Sequence, residues 1–136
     1  MGKRGLYIIL FFIFVSTVLA IQKERVEKRY SAHIDPDGIQ RVNIKAGSYY
    51  FDPNYIVVKV NTPVELNIVK EGGIIPHNFV LEINGTHIKE EIKKEGTKIS
   101  FTPMQIGKFE FYCDKKLPFL PSHRDEGMWG IIEVVK

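Results

Sequence analysis

Four side chains in the second half of this sequence carry donor atoms for a transition metal. Cys113, the one cysteine of the chain, closes an apolar run, Phe109-Glu110-Phe111-Tyr112-Cys113. His123 follows ten positions later and Met128 five after that, while His77 stands upstream in Pro76-His77-Asn78-Phe79-Val80-Leu81. One thiolate, two imidazoles and one thioether make the donor set of a trigonal copper site with a weak axial bond, an arrangement suited to single-electron transfer. A lone cysteine in an exported chain has no internal disulfide partner, so it needs another role. Taken singly, each residue has a plainer explanation. A free cysteine often behaves as a small buried hydrophobe, a histidine at a strand start is usually structural, and Met128 beside Trp129 can simply pack. The order and spacing of all four together favour a metal.

The elements that must hold these donors read as strands. Gln40 to Ala46 alternates, with Val42 and Ile44 on one face, and Val64 to Lys70 alternates through Val64, Leu66 and Ile68. Ser48 to Phe51, Tyr55 to Val60, Asn78 to Ile83, Thr86 to Lys89, Thr97 to Phe101, Lys108 to Tyr112 and Gly130 to Val135 are further short runs rich in Val, Ile, Phe and Tyr. Gly72-Gly73 opens the loop that carries His77, and Asn84-Gly85 is a two-residue hairpin signal. Glu90 to Gly96 is charged and suits a crossing between two sheets. About eight short strands at regular spacing predict an all-β, antiparallel Greek-key sandwich over residues 39–136.

These residues resemble the cupredoxins, the plastocyanin and azurin family of type 1 copper proteins, over roughly Ile39 to Lys136. The order matches that family: an early histidine, then Cys, His and Met between the last two strands. The resemblance implies one copper ion, with His77, Cys113 and His123 as strong ligands and Met128 as the axial one. It implies that Asn78 ties the two ligand loops together. It also implies an apolar docking patch near the C-terminal histidine, for which Leu117, Phe119 and Leu120 are the candidates. Phe111, Phe119 and Trp129 are expected around the sulfur. One departure stands out: nine residues separate Cys113 from His123, far more than in plastocyanin and closer to the type 1 loop of copper nitrite reductases.

The N-terminus carries an export pattern. Lys3 and Arg4 precede an unbroken apolar run from Leu6 to Val15, and Val18-Leu19-Ala20 approximates a small-x-small cleavage site. The stretch Leu6 to Ile21 is 16 residues, short of the roughly 18–20 that span a bilayer comfortably, though tilt and thinning accommodate mismatch. Residues 1–21 are therefore a cleaved signal peptide or a retained membrane anchor. Either places the domain in the periplasm or an equivalent extracytoplasmic space, with Lys3 and Arg4 left inside. The charge-rich residues 22–38 are expected to be a polar spacer. The net charge of +3 drops to +1 without the two basic residues of the leader. With no basic cluster interleaved with aromatics, nucleic acid is not an expected partner.

The leading expectation is an exported, monomeric copper protein that shuttles single electrons between respiratory donor and acceptor proteins, not an enzyme. Four protein donors leave no open coordination position of the kind metal catalysis requires. Copper delivery or storage is the alternative, although three methionines make no Met-rich tract. A red-copper redox enzyme would need an open site, with Asp125 or Glu126 replacing Met128. A thiol enzyme built on Cys113 lacks an evident orienting partner for its base. His33 and His87 are expected to be solvated.

Overall fold

A computed structural model of the chain describes residues 24–136. The expected signal or anchor segment, 1–21, lies outside the described residues. Ten strands form two facing sheets, and no helix occurs among the described residues. In chain order they are β1 (Arg29–Ser31), β2 (Gln40–Gly47), β3 (Tyr50–Asp52), β4 (Tyr55–Lys59), β5 (Val64–Lys70), β6 (Asn78–Ile83), β7 (Thr86–Glu91), β8 (Thr97–Phe101), β9 (Gly107–Tyr112) and β10 (Trp129–Val135). The larger sheet has the order β1-β4-β10-β9-β6-β7 and the smaller β3-β2-β5-β8.

Two expectations need correction. There are ten strands rather than about eight, and the sheets are mixed rather than antiparallel. β4 runs parallel to both β1 and β10, and β2 runs parallel to β5. The parallel pairs arise because the chain crosses between the sheets instead of returning by hairpins, so β2 and β5 travel the same way toward the metal loops. The Asn84-Gly85 hairpin forms as expected between β6 and β7, and residues 92–96 cross from the larger sheet to the smaller.

The expected spacer over 22–38 is also revised, since Arg29–Ser31 pairs with Tyr55–Val57 as an edge strand. Its anchor is the buried Asn54. The Asn54 side chain accepts the Lys28 N–H at 2.8 Å and donates to the Val26 carbonyl at 3.0 Å. The backbone N–H groups of Asn54 and Tyr55 both donate to the Lys28 carbonyl at 3.1 Å. A polar segment with no hydrophobic period is thereby held by a side chain that mimics the neighbouring strand.

Alternation along β2, β4, β5 and β6 sends Val42, Ile44, Ile56, Val58, Leu66, Ile68, Phe79 and Leu81 into the space between the sheets, where all are buried. Each fully buried aliphatic or aromatic side chain contributes about 1.5–3 kcal/mol. At one end the core turns aromatic. Phe79 stacks on Phe111 with centroids 5.1 Å apart, and Phe51 meets Phe111 edge-on at 5.2 Å. Gly130 makes room for this group, because a Cβ there would lie 2.2 Å from the Phe111 ring and 2.6 Å from the Asn54 carbonyl oxygen. Cys113 and Met128 belong to the same buried cluster, on top of the aromatic layer.

Candidate metal centre

His77 directly precedes β6 and Cys113 directly follows β9, and these antiparallel strands pair through Val80–Tyr112 and Leu81–Phe111. The two residues therefore emerge side by side at one end of the sandwich. β10 pairs with β9 from Trp129–Tyr112 onward. The Cys113 N–H donates to the Met128 carbonyl at 3.0 Å, which extends that ladder by one step and seats Met128 beside the cysteine backbone. The Met128 N–H in turn donates to the His123 carbonyl at 2.9 Å. Strand ends and one backbone chain of hydrogen bonds thus bring His77, Cys113 and His123 together, with Met128 joined to them through its backbone, all of them buried.

The ring Nδ1 atoms of His77 and His123 lie 3.2 Å apart, and the Cys113 Sγ lies 3.4 Å from the His123 Nδ1. One donor atom from each of the three residues falls within 4.8 Å of the others. That spacing suits donors that share one cation at bond lengths of about 2.0–2.3 Å. Two imidazole nitrogens and a thiol face one another inside the protein, and this soft donor set fits copper.

Electrostatics supports the fit. Burial, with the neighbouring His123 and Lys70, pushes His77 down to about 4. Burial also lowers His123. Both rings are therefore neutral near pH 7, the form that binds a metal. Burial pushes the Cys113 thiol up, against the backbone N–H groups of Asn78 and Lys115 that favour the thiolate. The two N–H groups and the Lys115 charge favour the thiolate, the form in which cysteine binds a metal.

Asn78 bonds across to the loop after the cysteine. Its backbone N–H points at the Cys113 sulfur at 3.4 Å, its side-chain amide donates to Asp114 at 2.6 Å, and it accepts the Asp114 N–H at 3.0 Å. Two partners were not legible beforehand. Asp114 also takes the Lys89 ammonium at 2.6 Å, and Lys115 reaches Glu91 at 2.6 Å. Alternate residues of the edge strand β7 thus brace the loop directly after the cysteine. Burial raises the Asp114 carboxyl, but the Lys89 and Asn78 hydrogen bonds outweigh it and hold the group below its usual range. Tyr49, also unforeseen, sets its ring edge-on to His123 with centroids 5.0 Å apart.

The nine residues between Cys113 and His123 fold as a small hairpin of their own. Lys116 bridges Ser122, and the Leu120 N–H donates to the Leu117 carbonyl at 3.2 Å. Phe119 sits at the turn with φ of 63° and is fully exposed. It therefore does not shield the sulfur as expected. Phe111 lies buried in the aromatic layer below, and Trp129 is half-buried beneath Arg25. Leu117 and Leu120 are exposed on the same hairpin. Asp125 and Glu126 are exposed, and Asp125 caps Ser122 at 2.6 Å, so neither stands where Met128 does. His33 is exposed and pairs with Asp35, and His87 is exposed and pairs with Glu82, both away from the cluster.

No curated protein matches the chain. Among solved structures, the metal-binding domain of the Cu(I)-exporting P-type ATPase of Streptococcus pneumoniae, determined with Cu(I), superposes with a TM-score of 0.63 at 24% identity, covering 82% of this chain and 100% of that one. Auracyanin A, a "blue" copper protein from Chloroflexus aurantiacus, gives a TM-score of 0.53 at 18% identity over 70% of this chain and 99% of its own. Dithionite-reduced auracyanin from Roseiflexus castenholzii gives 0.54 at 16% identity, covering 71% and 97%. At these identities the likeness is one of fold. A family model described as the cupredoxin-like domain matches residues 7–122, beginning upstream of Ile39 and ending just short of His123 and Met128. Well over half of the sequence lies within that match, and the chain belongs to the cupredoxin-like domain family.

Proposed function

We propose that this is an exported type 1 copper protein that passes single electrons between redox proteins, with His77, Cys113 and His123 as the strong ligands of one copper ion and Met128 as the weak axial one. The observation that carries the proposal is the convergence of two neutral imidazoles and one thiol in a buried pocket at the ends of paired strands. Bound copper would supply the one-electron couple. The protein's own part is to keep the donors in place. The ladder bond from Cys113 to Met128 and the Asn78–Asp114 link resist rearrangement of the first shell, which a fast electron carrier requires. The aromatic layer keeps water away from the sulfur side.

Burial of all four donor residues favours this reading over copper delivery, which needs ligands that a partner can reach for exchange. The domain works outside the cytoplasm, delivered there by residues 1–21. The experiment is to load the purified protein with Cu(II) and record visible and EPR spectra. An intense thiolate-to-copper band that is lost in Cys113→Ser supports the proposal. A colourless protein that retains only Cu(I) would mean copper handling instead, and absence of copper binding would sink both.

A further inference from the structure

The described chain enters the fold at the same end as the metal cluster. β1 is parallel to β4 and β10, with Arg29 beside Tyr55 and Tyr55 beside Ile131, two residues below Trp129. Upstream of β1 the backbone continues toward Trp129 and is fastened there. The Arg25 guanidinium lies 3.6 Å from the Trp129 ring centroid and donates to the Asn54 carbonyl at 3.2 Å. That same carbonyl accepts the Ile131 N–H at 3.0 Å. Three residues, 22–24, separate Arg25 from Ile21, the end of the apolar stretch. At roughly 3.3–3.6 Å per residue the four steps from Ile21 to Arg25 reach at most about 14 Å.

The end of the sandwich to which this short leash is tied also bears the two most exposed large apolar side chains among the described residues. Ile74, on the loop before His77, is 94% exposed, and Phe119, at the hairpin turn before His123, is 104% exposed. Leu120 and Val26 are exposed at this end as well. Scattered exposed hydrophobes are ordinary, but these come from three separate segments gathered around one end. The charges interspersed among them, Lys115, Lys116 and Arg124 with Asp114, Asp125 and Glu126, nearly cancel. An apolar contact fits this surface better than an electrostatic one.

We propose that residues 6–21 remain in the bilayer as an anchor, and that the metal end of the domain lies against the lipid surface with Ile74, Phe119 and Leu120 set into its interface. This rests on the extracytoplasmic placement in the reading above, and not on the identity of the metal. The leash, at most about 14 Å, is no more than about twice the headgroup layer of one leaflet, about 5–8 Å, so it holds the Arg25–Trp129 pair close to the interface. Tryptophan and basic side chains are favoured at that level. Apolar side chains that enter roughly 5–10 Å into the headgroup and acyl boundary gain from burial there. The apolar hairpin for which the sequence suggests a protein partner is in this arrangement covered by lipid.

The test uses the full chain, isolated from the membrane fraction of cells that express it with its own N-terminus. Mass measurement should find residues 1–21 intact, and loss of that segment overturns the proposal. The chain is then reconstituted in phosphatidylcholine vesicles with and without brominated acyl chains. Phe119→Trp and Ile74→Trp each add a reporter over the emission of Trp129, and two reporters guard against one failing to fold. Met104→Trp reports from the opposite end, on an exposed residue between β8 and β9. The added emission at 119 and at 74 should fall by roughly half, since bromines lie within reach of a side chain set at that depth, while that at 104 should not change. Equal quenching at all three positions overturns the proposal. So does no quenching at 74 and 119, which would return the hairpin to a protein partner. Copper spectra of the same samples report separately on the metal.

Discussion

The loop from Cys113 to Met128 has two parts that obey different rules. Its base, Cys113–Lys115 and His123–Met128, is closed by three backbone hydrogen bonds of 2.9–3.0 Å and braced from the side by Asn78, Lys89 and Glu91. Its tip, residues 116–122, is a hairpin that stands in solvent and is closed on itself by the Lys116–Ser122 bridge. The His123 N–H meets the Lys115 carbonyl at 2.9 Å, so the chain returns to the base almost where it left. The length of the Cys-to-His spacer is therefore no measure of the space around the metal. What fixes that space is where the spacer pinches, and here it pinches two residues after the cysteine.

The contrast between base and tip can be broken or sharpened by mutation. The largest effect belongs to the cysteine: Cys113→Ser should abolish the intense visible band of the copper-loaded protein, and a surviving band would show that the base is not the metal site. Next, Asn78→Ala removes the side-chain link between the two loops and leaves the Asp114 N–H without its partner, while the half-exposed Asp114 carboxylate keeps Lys89. Unfolding in denaturant should show a loss of about 1–3 kcal/mol, the cost of one unsatisfied backbone donor. A loss below about 0.5 kcal/mol, the range of ordinary surface changes, would mean that the brace is ornamental.

A pH effect of intermediate size should follow from the base as well. His77 titrates near 4 in the folded, metal-free protein and near its ordinary value of about 6.5 when unfolded. Between these values the unfolded chain binds the extra proton, so stability falls as the pH drops from about 6.5 to about 4 and His77 adds no further loss below that. The melting temperature of metal-free protein should follow this course, and His77→Gln should flatten it. An unchanged slope in the variant would assign the effect to other groups. The smallest effect lies at the tip: Phe119→Ser should change stability by less than about 0.5 kcal/mol and leave the visible spectrum unmoved. A shifted band would show that tip and base are coupled after all.

What the sequence disclosed follows the range of the interactions. The alternation of Val42 and Ile44, and of Val64, Leu66 and Ile68, needs only neighbours two apart, and Asn84-Gly85 is a local turn; all three read correctly. His77, Cys113, His123 and Met128 stood out as donor candidates because chemistry marks them individually, and the first three meet in the structure. β1 was not legible, because Arg29, Tyr30 and Ser31 are all exposed at a sheet edge and show no period. Nor was the parallel pairing of β2 with β5, which depends on how the chain crosses between sheets. Asp114 and Lys89 are 25 residues apart, and nothing in either local sequence announces their pairing. The hairpin tip was obscured because its closing residues flank two prolines that read only as a stiff insert.

The pinch at Lys115 and His123 also bears on how such a loop can change length. Once a connection closes above the metal, added residues meet only the entropy of a longer free loop, about 0.6 kcal/mol for each doubling. A foreign peptide spliced at the Phe119 turn would be carried a fixed distance above the copper while the ligands below keep their places. The hairpin is in effect a handle, and its grip can be refashioned without reopening the vessel it is attached to.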